Sequence, residues 1–215
     1  MWNWSLNWGE VTSTILVGTC PMTANDIGRI AEGTKASALL SLQHDDCLRY
    51  WHIDAARLRL RAQALGLVTV RCPMRDFDIP DQRRQLPQAI VALAGLQRAG
   101  HRTYVHCTAG LGRAPLTVLA YLVLVEQLAP DRAIGLIKAA RPDAVPAWEA
   151  FHGCRKDLLQ EQAAAVARRA YEIYERGGQD NADADWVKAE ADVLQAAVLA
   201  MVSREAFEAL DRGGR

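Results

Sequence analysis

Apolar residues along this chain fall into two rhythms. Short β-branched or apolar runs occur at STILVG (13–18), ASALLSLQ (36–43), LVTVRC (67–72) and RTYVHC (102–107), and each predicts a strand. Between them the spacing lengthens to that of a helix. The segment Ile53 to Leu65 predicts an amphipathic helix stopped by Gly66. Arg84 to Arg98 carries Leu86, Ile90, Leu93, Ala94 and Leu96 on one stripe and stops at Gly100. Strands alternating with helices predict an α/β architecture, a mixed central sheet covered by helices.

APLTVLAYLVLVEQLAP (114–130) is apolar nearly all round, which predicts a buried central helix with Pro115 in its first turn. Pro130 opens a further helix over DRAIGLIKAARP. Beyond residue 160 the chain becomes rich in alanine and charge. A helix over QEQAAAVARRAYEIYER, the break GGQDNADAD and a second helix from about Trp186 to Leu210 predict a helical hairpin over 161–215, appended to a body spanning 1–160.

Composition narrows the function. Lys plus Arg and Asp plus Glu number 25 each, so net charge is zero, and no basic run is present. A neutral chain is a poor ligand for nucleic acid or anionic membrane, since phosphate neutralisation supplies most of such affinity. The five cysteines are scattered and show no C-x-x-C pairing, which predicts free thiols in a reducing, intracellular compartment. MWNWSLNWGEV has neither the basic nor the apolar region of a signal peptide.

The chemistry concentrates in YVHCTAGLGRAP (104–115). A strand ends before Cys107 and a helix starts after Arg113, so Thr108, Ala109, Gly110, Leu111 and Gly112 form a strand-to-helix turn, curled through its two glycines. Such a turn aims several N–H groups, together with the positive end of the helix dipole, at one point. The same field favours a thiolate at Cys107, and the Arg113 fork matches two phosphate oxygens. This predicts a cysteine nucleophile at the floor of a phosphate cradle, with His106 supporting the loop by hydrogen bonding. The upstream loop RCPMRDFDIPDQRRQLP offers Asp76 as general acid and base, with Asp78 in reserve and Asp81 as the N-cap of the helix that follows.

H-C-x5-R with an upstream loop aspartate resembles the cysteine-dependent dual-specificity phosphatases. CTAGLGRAP is similar to the loop of their glucan phosphatase branch, closest to the like-starch-excess type. ILVGTCP, LLSLQHDDCLRYWHID, RDFD and QLPQAI extend the resemblance over residues 5 to 158. It implies catalysis without metal or cofactor on phosphorylated polyglucan. It also implies glucan contacts at Trp8, Tyr50, Trp51 and Phe77, with Phe77 on the pocket floor and Trp2 and Trp4 extending the platform or fraying at the terminus. Aromatic faces suit the C–H faces of pyranose rings. The second reading is a phosphatase acting on phosphotyrosine or phosphothreonine, and the third a phosphate-binding module without turnover. Cys72 and Cys47 are candidate redox partners of Cys107, whereas Ser41 stands where a starch-excess enzyme can carry a regulatory cysteine. Ala114 lacks the hydroxyl that many such phosphatases place after the arginine, as the plant glucan enzymes do, which implies slow breakdown of the phosphocysteine. The C-terminal helical pair resembles a short domain of unknown function attached to many bacterial proteins, so the compartment implied is a bacterial cytoplasm or one like a plastid.

Overall fold

The computed structural model describes residues 4–176 and 181–202. Trp2 and the predicted helix beyond residue 202 lie outside them. Five strands form one sheet: β1 (Trp8–Glu10), β2 (Ile15–Gly18), β3 (Ala38–Gln43), β4 (Val68–Met74) and β5 (Thr103–His106), in the order β1-β2-β5-β3-β4. β1 is antiparallel to β2 and the other pairings are parallel. The central strands β2 and β5 are buried along their whole length, as apolar runs covered on both faces must be.

The helices are α1 (Ala24–Thr34), α2 (Asp45–Tyr50), α3 (Ala55–Ala64), α4 (Ile79–Arg98), α5 (Arg113–Leu124), α6 (Pro130–Ala140), α7 (Trp148–Glu161), α8 (Ala163–Glu175) and α9 (Ala182–Met201). One sheet face carries the main core. There Leu40, Val70 and Val105 pack with Leu86, Ile90 and Leu93 of α4 and with the almost wholly buried α5. The opposite face is covered by α1 and α3 over a smaller cluster that includes Leu16, Ile27, Leu39 and Tyr104. Helix α1 begins with a capping box: Thr23 accepts from the Asp26 N–H, and the Asp26 carboxylate accepts from the Thr23 N–H at 2.9 Å. The α8–α9 pair rests on the body, and Leu194 and Val198 of α9 are buried within the main core. Among the described residues no helix is long and apolar enough to cross a membrane.

Helix α4 starts five residues earlier than its apolar stripe predicts, because Ile79 is the one apolar side chain of its first turn that packs on the core and Asp81, Gln82 and Arg83 follow it. Its cap also differs from expectation. Asp78, not Asp81, is the N-cap, accepting from the Asp81 N–H at 2.9 Å. Asp81 is buried one turn in, where its carboxylate accepts from the Arg75 N–H at 2.7 Å and ties the preceding loop to the helix. Asp78 is thereby committed to structure.

Candidate active site

The loop from Cys107 to Gly112 joins β5 to α5 with its carbonyls turned outward and held. The Cys107 carbonyl accepts from His106 Nδ1 at 3.1 Å, and that of Thr108 from the Cys20 N–H at 3.0 Å. Ala109 O accepts from Arg141 Nη2 at 2.8 Å, and Leu111 O from the Val145 N–H at 2.7 Å. The N–H groups of Thr108, Ala109, Gly110, Leu111 and Gly112 have no acceptor among the described residues. Gly112 caps α5 with no side chain, so no oxygen occupies the space before the helix. Five donors converging at a helix N-terminus are an anion cradle.

Only one of the two glycines is sterically required. Gly110 has φ +70°, and a β-carbon there would lie 2.4 Å from the Gly18 carbonyl oxygen. At Gly112 φ is −111° and nothing stands within 4 Å of a β-carbon. We therefore expect Gly110→Ala to lower kcat/KM by about 10²-fold or more through distortion of the cradle. Gly112→Ala should fold normally and stay within about tenfold of wild type. Steady-state hydrolysis of p-nitrophenyl phosphate, with thermal melts as the folding control, measures both.

Arg113 is only 1% exposed and is held from several sides. Nη1 donates to the Met74 carbonyl at 2.9 Å and to Cys47 Sγ at 3.3 Å. Nη2 donates to Asp76 Oδ2 at 2.8 Å and to Thr108 Oγ1 at 3.2 Å. Nε is buried without a partner. Burial opposes the guanidinium charge, but negative charge at Cys107 and Asp76, with the Cys47 contact, holds its pKa above the ordinary value. The structure thus brings Arg113 and Asp76 together, with Cys107 two per cent exposed at the base of the cradle. Sequence reasoning missed Met74, Cys47 and Arg141 as the groups that aim the arginine and brace the loop.

A cavity of about 710 Å³ opens over the loop, with Thr108, Ala109 and Leu111 on its inner wall and Asp76 at one side. Tyr50, Trp51 and Phe77 line its mouth. The Tyr50 and Trp51 rings meet edge to face at 5.2 Å, and Tyr50 is 75% exposed. Phe77 is 94% exposed with φ +57°, so it stands at the rim and not on the floor. A phenyl ring held in water on a left-handed backbone is a costly arrangement of the kind found at binding sites. Trp8 is elsewhere: it packs on Tyr104 and against Gly33, in the smaller cluster behind the sheet. Trp4 donates its indole N–H to the Cys20 carbonyl at 3.0 Å, also away from this mouth.

All five cysteines are free. Burial pushes the thiols of Cys20, Cys72 and Cys154 up to about 12, so they stay protonated and inert. Cys72 faces the main core, 3.9 Å from the Gln88 carbonyl, which leaves Cys47 as the cysteine that shares the Arg113 environment. Burial also drives His106 down to about 4, aided by the Arg113 and Arg71 charges. Because the folded value lies below that of the unfolded chain, unfolded His106 takes up its proton first as pH falls. Its contribution is complete above about pH 6.5 and is lost toward pH 4, by an amount on the order of 3 kcal/mol. Urea midpoints taken from pH 7 to 4 should fall across this window, and His106→Gln should flatten the slope.

Residues 52–153 match the model of the dual specificity phosphatase catalytic domain. The chain is 32% identical over 157 residues to the amyloplastic phosphoglucan phosphatase DSP4 of Castanea sativa, covering 72% of this chain and 41% of that protein. It is 30% identical over 117 residues to the chloroplastic phosphoglucan phosphatase LSF1 of Arabidopsis thaliana, covering 54% of this chain and 20% of that protein. It therefore spans less than half the length of either relative. The crystal structure of PTPMT1 shares the fold, with a TM-score of 0.58 at 21% identity over 75% of this chain and 99% of that one. A cysteine set in a phosphate cradle, an arginine fork and this match point the same way: residues 52–153 form a dual-specificity phosphatase catalytic domain, and the chain around it is similar to the phosphoglucan phosphatases.

Proposed function

We propose that this protein removes phosphate monoesters from a starch- or glycogen-like polyglucan through a phosphocysteine. The observation that carries the reading is the cluster of Tyr50, Trp51 and Phe77 at the mouth of the phosphate cradle. The named activities of the similar plant proteins support it. The Cys107 thiolate attacks phosphorus, and an S–P bond forms as the bond to the sugar oxygen breaks. The departing alkoxide takes the proton of Asp76. A water molecule then attacks phosphorus while Asp76 accepts its proton, the S–P bond breaks, and phosphate leaves with Cys107 again a thiolate. Arg113 turns Nη2 and the unpartnered Nε toward the phosphoryl oxygens, and in doing so releases Asp76 for proton transfer.

The body over 1–160 carries the chemistry and the chain over 161–215 is an appendage to it. A compartment that stores polyglucan, a plastid or a bacterial cytoplasm, is the setting this substrate requires. Phosphate release from phosphorylated amylopectin, compared with phosphotyrosine and phosphothreonine peptides, tests the reading. Trp51→Ala and Phe77→Ala should each lower kcat/KM on amylopectin by about 3–10-fold and leave p-nitrophenyl phosphate nearly unchanged. Release from peptides and none from amylopectin would overturn it.

A further inference from the structure

A second cavity, of about 170 Å³, lies behind the phosphate loop, on the sheet face covered by α1 and α3. Ile27, Leu39, Leu48 and Leu58 supply apolar walls, while Ser41, Thr69, Arg59, Arg71 and His106 bring polar groups to it. It owes its existence to the thin cover on this face, where α3 is mostly polar and buries only Ala62.

His106 gives the cavity a chemical direction. The residue is 4% exposed, and its Nδ1 is committed to the Cys107 carbonyl. A carbonyl only accepts, so Nδ1 carries the proton and Nε2 presents a lone pair. Nε2 has no partner among the described residues, although the residue lines the cavity. The Ser41 and Thr69 hydroxyls likewise make no hydrogen bond within the described chain, and Arg59 has no carboxylate partner there. The Arg71 Nε is buried and unpartnered as well. The lining thus combines a hydrogen-bond acceptor, apolar walls and a guanidinium without a carboxylate partner among the described residues.

We infer that this cavity binds a small single-ring hydroxy acid, its hydroxyl donating to His106 Nε2, its ring between the aliphatic walls and its carboxylate on Arg59. The size suits one ring, since an aliphatic cavity of roughly 150 Å³ holds benzene. The site also touches the catalytic loop. Its occupant would be joined to the Cys107 carbonyl by two successive hydrogen bonds through His106, and Gln43, another lining residue, donates to Thr108 Oγ1 at 3.4 Å.

The probe is 4-hydroxybenzoate, titrated into the ¹⁵N-labelled full chain with the catalytic cradle occupied by vanadate. Saturable shifts at the amides of Leu39, Ser41 and Thr69 are expected, with a Kd on the order of 0.1–1 mM. Arg59→Gln should weaken binding by about tenfold, as should loss of the hydroxyl in benzoate. Ala55→Phe, placed at the cavity wall, should abolish binding while p-nitrophenyl phosphate turnover is kept. The spectrum of each variant reports its fold. The inference fails if no shift appears up to about 10 mM probe, if Arg59→Gln and Ala55→Phe leave binding unchanged, or if vanadate displaces the probe, which would place it in the catalytic cradle.

Discussion

Cys107→Ser is expected to lower phosphate release by at least about 10⁴-fold while phosphoglucan still binds. A serine hydroxyl at this position needs a base to become a nucleophile, and the histidine beside it cannot serve. His106 Nδ1 is spent on the Cys107 carbonyl, and the ring lines the cavity on the α1–α3 side of the sheet. The cradle itself survives the change, since its donors are backbone N–H groups whose carbonyls are held by Cys20, Arg141 and Val145. Binding and turnover should therefore separate. Acid-quenched wild-type enzyme should retain phosphorus on Cys107 as a thiophosphate ester, and the serine variant none. The nucleophile assignment falls if turnover in the variant stays within about a hundredfold of wild type.

How much of this was legible before the structure depended on whether the information was local. Strands β2 to β5 are runs of four to seven residues with strong β character, and all four were readable as such. Strand β1 is three residues, Trp-Gly-Glu, whose pairing with β2 arises from the chain doubling back and leaves no periodic trace. Helix α2 is six mostly polar residues with none buried, so no stripe marks it. Helix α1 did carry a usable mark, the Thr-x-x-Asp capping box at Thr23 and Asp26.

The same division runs through the site. The cradle is seven consecutive residues, so its donors and its arginine were visible in one stretch. What aims Arg113 comes from β4, α2 and the acid loop, through Met74, Cys47 and Asp76. Only Asp76 could be named from chemistry, because a carbonyl and a thiol contact leave no motif. Trp8 shows the opposite failure. An aromatic residue on a strand looks the same whichever face of the sheet it serves, and Trp8 serves the face behind the loop. Asp81 was the expected cap, and the backbone path into α4 gave that place to Asp78.

Arg113→Lys is expected to reduce kcat/KM by about 10³-fold, although the charge is kept. Lysine replaces a planar fork with one ammonium group. In the present arrangement Nη1 is anchored on the Met74 carbonyl, so Nη2 and the unpartnered Nε are the two donors available to a phosphoryl group. An ammonium that reaches the Met74 carbonyl leaves the phosphoryl oxygens without that pair, and one that reaches the phosphoryl group abandons its anchor. Asp76 loses its 2.8 Å partner in either case, so the proton-transfer group loses its resting position together with the clamp. The deficit should therefore appear in kcat as well as KM, and vanadate, which relies on the same fork, should bind about 10²-fold more weakly. Kinetics on p-nitrophenyl phosphate and vanadate inhibition of the two proteins measure this. A lysine variant within tenfold of wild type in both would show that the backbone cradle, and not the guanidinium, carries phosphate recognition.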